Sequence, residues 1–402
     1  MSYSRSRWPL SVMVVMLISV LPMGATHAQP DEATPAERGA HQQVARGQDV
    51  SYEIVQLAPA YRNGQILHQS TIGSGITEYS RLLVGIIEKK EDAEFPEYDK
   101  SAINLIDQGS GAVAFPWISE DCYPYFWATR WRPISAGRDG SVLGVVNCIH
   151  KTDSSKNKNM VVHWESEKVL PRTILSASPQ EVQYSLFHGT EDGHLLHVDL
   201  DTKKHVYSTY VTSLDGASRR ISPSDPSSEV YGTDLAEQGT VAGVILPHAD
   251  AGQLATTDIL QKPFVASGGS SLPEMLPLPA GVTAPSARKT PATIKVSPDG
   301  RRIIGAIGTH TIAWDAQRRP TILSSTSAIT PVKLLNGNKA LVNSIWGPGI
   351  LRGGEIRPLV VADMPPGAKL QTVAGINTSQ EIAATLLLPS GLTQAVLLSP
   401  SS

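Results

Sequence analysis

The clearest pattern along the chain is a short polar turn followed by a β-branched, alternating run. It is most complete in IKVSPDGRRIIGAIGTHTIAWDAQRRPTIL, Ile294 to Leu323. Pro298-Asp299-Gly300 predicts a turn, because Pro sets φ at one central position and Gly permits a positive φ. Arg302 to Ile307 then predicts a strand, Gly308-Thr309 a second turn, His310 to Trp314 another strand, Asp315 to Arg319 a polar hairpin, and Pro320 to Leu323 a last strand. Three or four short antiparallel strands in about thirty residues make one meander.

Degenerate copies of the unit recur. EDGHLLHVDLDTKKHVYSTYV (Glu191 to Val211), GRDGSVLGVVNCIH (Gly137 to His150) and AEQGTVAGVILPH (Ala236 to His248) open on a turn and continue as a strand, the last two with a glycine in mid-strand. LLNGNKALVNSIWG (Leu334 to Gly347) and GINTSQEIAATLLLPSGLTQAVLLSP (Gly375 to Pro400) continue the series. Turn positions at Gly64, Gly109, Gly140, Gly193, Gly239, Gly300, Gly337 and Ser379 lie about 30 to 60 residues apart, the spacing of four-stranded propeller blades. Helical periodicity is hard to find after Asp49, which argues against α/β folds. The expected fold is therefore all-β, a β-propeller of seven or eight four-stranded blades over residues 51–402, with a pair of β-sandwiches as the alternative. An eighth blade would require Ser51 to Lys90 to form one. YEIVQL (Tyr52 to Leu57) pairing with QAVLLS (Gln394 to Ser399) would close the ring. The Pro-, Ser- and Gly-rich stretch Phe264 to Thr290 interrupts the series and is expected to be a solvated loop between blades, or else a strap across one face.

Three of these segments resemble known repeats. VSPDGRRIIGA is similar to the S-P-D-G-[KR] signature of the periplasmic TolB-type, WD40-like repeat. DGHLLHVDLDTKKHVY resembles the blade of quinoprotein-type propellers, with Lys203-Lys204 where Gly-Lys is usual. The segment from Gly375 to Pro400 resembles the extracellular HAF-type repeat, with Gln380 in place of its Gly and Ala395-Val396 in place of Ala-Phe. The resemblances agree on a propeller and imply different functions.

The N-terminus adds a destination. A basic start (Arg5, Arg7), an apolar run from Leu10 to Leu21 and small residues up to Ala28 predict a secretory signal peptide over residues 1–28. The run is short against the ~20 residues that span a bilayer, and no later segment is long and apolar enough to do so. Residues 29–50 are small and polar, and are expected to be a flexible leader. The chain of 402 residues, 41% hydrophobic and 18% charged, has enough apolar material for a sizeable core. Its formal charge is −3, and losing the two arginines of the signal makes it more acidic, so no basic footprint points to nucleic acid. The expected location is periplasmic or extracellular. In an oxidising compartment Cys122 and Cys148 are read as one disulfide between neighbouring strands, with two buried thiols as the alternative.

The densest chemical signal is FPWISEDCYPYFWATRW, Phe115 to Trp131, in a chain with only 6% aromatic residues. Trp117, Tyr123, Tyr125, Trp127, Arg130 and Trp131 are the candidate ligand-binding residues, because flat aromatic faces beside Arg130, Arg132, Glu120 and Asp121 suit sugar rings or peptide side chains. Strand alternation would instead put half of the aromatics in the core. His188, His194, His197 and His205 cluster near Asp192, Asp199 and Asp201, but His194 and His197 lie three apart and face opposite sides of a strand. They are read as solvated strand and turn residues, and no metal or cofactor is expected. The sequence has no G-x-S-x-G elbow and no H-E-x-x-H, so no catalytic residue is assigned. The expectation is an exported, non-enzymatic propeller that binds an envelope protein or glycan. A secreted propeller lyase or hydrolase acting on polysaccharide or peptide is the alternative, and a quinone-dependent dehydrogenase rests on one repeat alone.

Overall fold

The second strands of several repeat units read as nearly continuous apolar runs rather than alternating ones, as in Val142–Val146, Val241–Val244 and Ile382–Leu386, and the structure shows why. A computed structural model describes residues 51–401 apart from 58–60, 63–64, 67–68, 78–80, 90–98, 108–110, 115–120, 123–130, 167, 180, 249–260, 284–291, 326–328 and 336–338. The described residues all belong to one compact unit, Gln48–Ser402. In Val142–Cys148, Val241–Pro247 and Ile382–Leu387 the second strand is covered on both faces by the neighbouring sheets, so nearly every position is buried. Alternation survives only in strands with one solvated face.

The chain opens with β1 (Ser51–Leu57) and the two short strands β2 (Tyr61–Arg62) and β3 (Gln65–Ile66), which pair with each other. The first blade is β4 (Gln69–Ile76), β5 (Leu82–Lys89), β6 (Asp99–Asp107) and β7 (Gly111–Ala114). The second is β8 (Trp131–Ala136), β9 (Val142–Cys148), β10 (Lys158–Trp164) and β11 (Arg172–Ala177). The third is β12 (Val182–Gly189), β13 (Leu195–Asp201), β14 (Val206–Thr212) and β15 (Ser218–Ile221). The fourth is β16 (Ser228–Leu235), β17 (Val241–Pro247), β18 (Lys262–Ala266) and β19 (Glu274–Met275). The fifth is β20 (Ile294–Val296), β21 (Ile303–Ile307), β22 (His310–Trp314) and β23 (Pro320–Ser324). The sixth is β24 (Ile329–Leu335), β25 (Lys339–Ser344), β26 (Gly349–Arg352) and β27 (Glu355–Pro358). The two-residue β28 (Val360–Val361) leads to the closing sheet, where β29 (Lys369–Ile376), β30 (Ile382–Leu387) and β31 (Thr393–Pro400) are joined by β1 and β28 in the order β28-β1-β31-β30-β29.

The expected all-β propeller is thus what the chain forms: six four-stranded sheets in series, with the five-stranded sheet closing the ring. Ser51 to Lys90 is not a blade of its own, because β1 belongs to the closing sheet while β4 and β5 begin the first blade. The two ends of the chain meet as expected, with β1 antiparallel to β31 from Tyr52 opposite Pro400 to Leu57 opposite Val396. Closure follows because β29, β30 and β31 also pack against β4.

Each seam between sheets has its own apolar cluster. Leu83, Val142 and Trp164 fill the seam between the first and second blades, Ile304, Leu334 and Val342 that between the fifth and sixth, and Leu82, Ala383 and Leu397 the one where the ring closes. Burying one such Leu or Ile contributes about 1.5–3 kcal/mol. Polar side chains clasp the seams as well, imitating a strand partner. The Thr233 hydroxyl donates to the Ile294 carbonyl at 2.7 Å and accepts from the Ile294 amide at 3.1 Å. Asn343 does the same to Val373, both contacts at 2.9 Å.

The Pro/Ser/Gly-rich stretch includes strand residues and one packed segment. Phe264–Ala266 completes β18, Glu274–Met275 is β19, and the next residues pack on the seam between the fourth and fifth blades. Leu276 is buried there, and the Trp314 indole donates to the Pro277 carbonyl at 2.7 Å. Residues 267–275 are mostly exposed, the following segment is anchored by Leu276, and 284–290 lie outside the described residues. So do the expected signal peptide and the leader.

Candidate functional site

Within a blade the strands run A to D from the inside of the ring outward, as shown by the contacts between successive first strands. AB and CD turns consequently lie at one end of the ring, and BC turns with the DA links at the other. The AB turns share one construction. Gly137–Ser141, Thr190–His194, Ala236–Thr240 and Asn377–Glu381 each close with an N–H from the first residue to the carbonyl of the fifth, at 2.8–3.1 Å. The fourth residue has positive φ: Gly140 (88°), Gly193 (87°), Gly239 (73°) and, without the freedom of glycine, Gln380 (65°). Side-chain carboxylates lock the turns: Asp139 accepts from the Ser141 amide at 3.0 Å and Asp192 from the Thr190 hydroxyl.

Two clefts open at this end. One, of about 270 Å³, lies between the second and third blades, with the AB turns of both at its rim. The other lies between the third and fourth blades beside His194, Ser213, Arg219 and Gln238. Arg138 spans the first cleft, its guanidinium 3.3 Å from the Glu191 carboxylate and 3.5 Å from that of Glu237 on the following blade. Two leucines are exposed on the CD turns of the second and fourth blades, Leu170 at 70% and Leu272 at 64%.

His163 on β10 and Ser135 on β8 line the first cleft from within. His163 is only 6% exposed, and neither ring nitrogen has a hydrogen-bond partner; the buried Ser135 hydroxyl has none either. Burial holds the His163 imidazole below its ordinary pKa, and the Arg172 guanidinium adds to this while Asp139 and Glu165 oppose it. For Asp139, burial raises the carboxyl, but the hydrogen bonds from Ser141 outweigh it and the net shift is downward.

A second cluster sits on the inner strands. In six of the seven sheets the A strand carries a β-bulge, at Gly73/Gly75, Pro133/Ser135, Tyr184/Leu186, Gly232/Asp234, Pro331/Lys333 and, twice, in β29. A bulge re-aims the side chains that follow it. Counted back from the AB turns, Ser135, His188, Asp234, Lys295 and Lys333 occupy equivalent places. The buried Asp234 carboxylate is 3.1 Å from His188 Nε2 and 3.2 Å from Lys295 Nζ, and accepts from the Val296 amide at 2.8 Å. Lys333 donates to the Ile376 carbonyl at 2.8 Å. Burial lowers the His188 pKa, as do Lys295 and Lys333, against the pull of Asp234. The arrangement can hold an anion or move a proton through a neutral imidazole.

Of the residues expected to bind ligand, Trp117, Tyr123, Tyr125, Trp127 and Arg130 lie outside the described residues, and Trp131 is placed only as the first residue of β8. Asp121 and Cys122 of the segment are among the described residues. Cys122 is bonded to Cys148, with Cα atoms 5.3 Å apart, and forms a bridge to His150, so the disulfide reading holds and ties the segment to the BC end of the second blade. The histidines do not gather. His194 lies 3.1 Å from Asp192 at the rim, and His188 meets Asp234 one blade away. His197 is not solvated as expected: it is 3% exposed, held between Asp199 (2.6 Å) and Thr212 (3.0 Å), and stacked on Tyr210. Among the described residues no group of three His, Cys, Asp or Glu is arranged to hold a metal ion.

Sequence reasoning passed over His163, Ser135, Asp234, Lys295 and Lys333. Aligning the segments on their AB turns, rather than on their strands, would have stacked four of the five into one polar ring position. Nothing in the sequence pairs His163 with that position.

No protein-family model matches the chain, and no curated protein matches it in sequence. Solved structures do. A mutant puromycin hydrolase complexed with PGG is similar at a TM-score of 0.51 and 14% identity, over 82% of this chain and 52% of that one. YCF48 bound to D1 peptide gives 0.47 and 9%, over 87% and 96%. Virginiamycin B lyase from Staphylococcus aureus gives 0.45 and 11%, over 82% and 99%. These neighbours include a peptide-bound protein and enzymes, and at such identities the likeness is one of fold alone. Repeats in a β-propeller, the common content of the three repeat resemblances, are what this chain has.

Proposed function

We propose that the chain is an exported, non-enzymatic propeller that binds a protein or glycan partner with the end of the ring carrying the AB and CD turns. One observation carries this reading: the cleft between the second and third blades opens on the same rim that exposes Leu170 and Leu272. Large apolar side chains on ordered turn tips, beside a charged cleft, gain by being covered. The disulfide and the apolar segment before Ala28 support export, and among the described residues no helix is long and apolar enough to cross a membrane. The test incubates the purified mature chain with envelope peptides and glycans and weighs what is retained. Retention without new masses is expected. Time-dependent products would replace this reading with the enzymatic one.

That second reading, a lyase or hydrolase acting on polysaccharide or peptide, is favoured by the cluster of His188, Asp234 and Lys295 at the inner edge of the ring. If it holds, product formation seen with the parent chain disappears in a folded His188→Gln variant.

A further inference from the structure

We propose that the axial opening at the AB end of the ring receives the carboxylate of an acidic side chain of a protein partner; this rests on the binding reading above. The first strands of successive blades lie against one another all the way round, β4 to β8, β12, β16, β20, β24, β29 and back to β4. Each has one equivalent place two residues before its AB turn, and so at that end of the ring. His188, Asp234, Lys295 and Lys333 hold the place on the third to sixth blades, and glycine holds it on the closing sheet (Gly375) and on the first blade (Gly75). Asp234 pairs with both His188 and Lys295. The charged arc meets the glycine arc at Lys333, whose ammonium donates to the carbonyl of Ile376, the residue after Gly375.

Charge and space select the ligand together. Burial, with Lys295 and Lys333 adding to it and Asp234 opposing, keeps the His188 imidazole uncharged. The arc then carries two ammonium groups against one carboxylate. Among the described residues Lys333, partly buried, has one acceptor for its three donors, the Ile376 carbonyl, and no carboxylate partner. An ammonium so placed favours an arriving anion. One excess positive charge matches a carboxylate, while the fixed Asp234 opposes a doubly charged phosphate. The glycines supply the room. Neither has a positive φ; a Cβ on Gly75 would meet nothing within 4 Å, and the nearest atom to one on Gly375 is Ile76 Cγ2 at 3.5 Å, an ordinary contact. Backbone and packing thus do not require glycine at either place, and glycine inside a strand often marks the close approach of a ligand. The place is open to solvent, with 37% of the His188 side chain and 19% of that of Lys295 accessible. No Trp, Tyr or Phe stands at the seven equivalent places to stack on a sugar ring, which favours a peptide carboxylate over a sugar acid.

The test uses the purified mature chain with isotope-labelled histidine, its His188 ring signals assigned with a His188→Gln variant. Nα-acetyl-glutamate amide, its neutral isostere Nα-acetyl-glutamine amide, galacturonate and inorganic phosphate are titrated in turn at fixed pH and ionic strength. A saturable shift of the His188 ring with the glutamate derivative and none with the glutamine derivative is expected. Lys333→Gln should weaken that response about tenfold. Gly75→Leu, which fills the glycine arc without touching a charge, should weaken it as well and keeps the test open should Lys333→Gln fail to fold. Equal shifts with the glutamine derivative, no saturable shift with the glutamate derivative, or an undiminished response in either folded variant would overturn the proposal. Tighter binding of galacturonate or phosphate would overturn the assignment to an acidic side chain. If the glutamate derivative fails while Leu170→Glu with Leu272→Glu still abolishes partner retention, only the carboxylate proposal falls; if retention also survives that pair, the binding reading falls with it.

Discussion

Asn343 shows how a single side chain holds two blades together. Its amide satisfies both the N–H and the carbonyl of Val373 on the next inner strand. Asn343→Leu would leave both groups buried without partners, a loss of about 2–4 kcal/mol that equilibrium unfolding in urea would register; Asn343→Asp, which keeps the acceptor, should lose less. In the sequence Asn343 is one polar residue in ALVNSIW, and its partner lies 30 residues on, beyond any local pattern. His163 is hidden in the same way. Its pKa is held down by burial and by Arg172, so below about pH 6.5 the unfolded chain binds a proton that the folded chain refuses. Stability should therefore fall as the pH drops from 7 toward 5.5, with His188 contributing in the same direction. Thermal unfolding across that range should show a shallower decline in His163→Leu; an unchanged slope would remove His163 from the pH dependence.

Among the elements, AB turns were the most legible. Gly140, Gly193, Gly239 and Gly300 stand at positive φ where turns were expected, because a turn of this geometry needs a left-handed residue there. Gly64, Gly109 and Gly337 lie outside the described residues. The turn expected at Ser379 places its left-handed residue one position later, at Gln380, where the HAF-type repeat has its Gly. Gln380→Gly should raise the unfolding free energy by about 0.5–1 kcal/mol, since a non-glycine residue pays for that conformation and glycine does not; a decrease would show that the Gln380 side chain earns its place by contacts. Strand alternation was the less reliable guide. B strands buried on both faces read as unbroken runs, and the proline-rich stretch after β18 concealed a short strand and a packed segment under Trp314. Composition marks such a stretch as irregular, but only the neighbouring seam decides that it is buried.

At the scale of the molecule, the ring is held by β1 on β31 and stiffened by one disulfide. The bridge closes 26 residues, so replacing Cys122 and Cys148 together by serine should cost about 3 kcal/mol, read as a lower unfolding midpoint in non-reducing conditions; an unchanged midpoint would mean that the bridge is not formed in solution. Ring closure was expected from the sequence as YEIVQL on QAVLLS, and β1 does pair with β31. Which end of the ring would meet a partner was not visible there, since the proposed surface is made of turns brought together from blades about fifty residues apart. The most direct test compares partner retention by the parent chain, by Leu170→Glu with Leu272→Glu on two CD turns, and by Ile345→Glu with Trp346→Glu on a BC turn at the opposite end. Retention lost only in the first pair is the predicted result. Retention unaffected by that pair, or lost only in the second, would contradict the assignment of the binding surface.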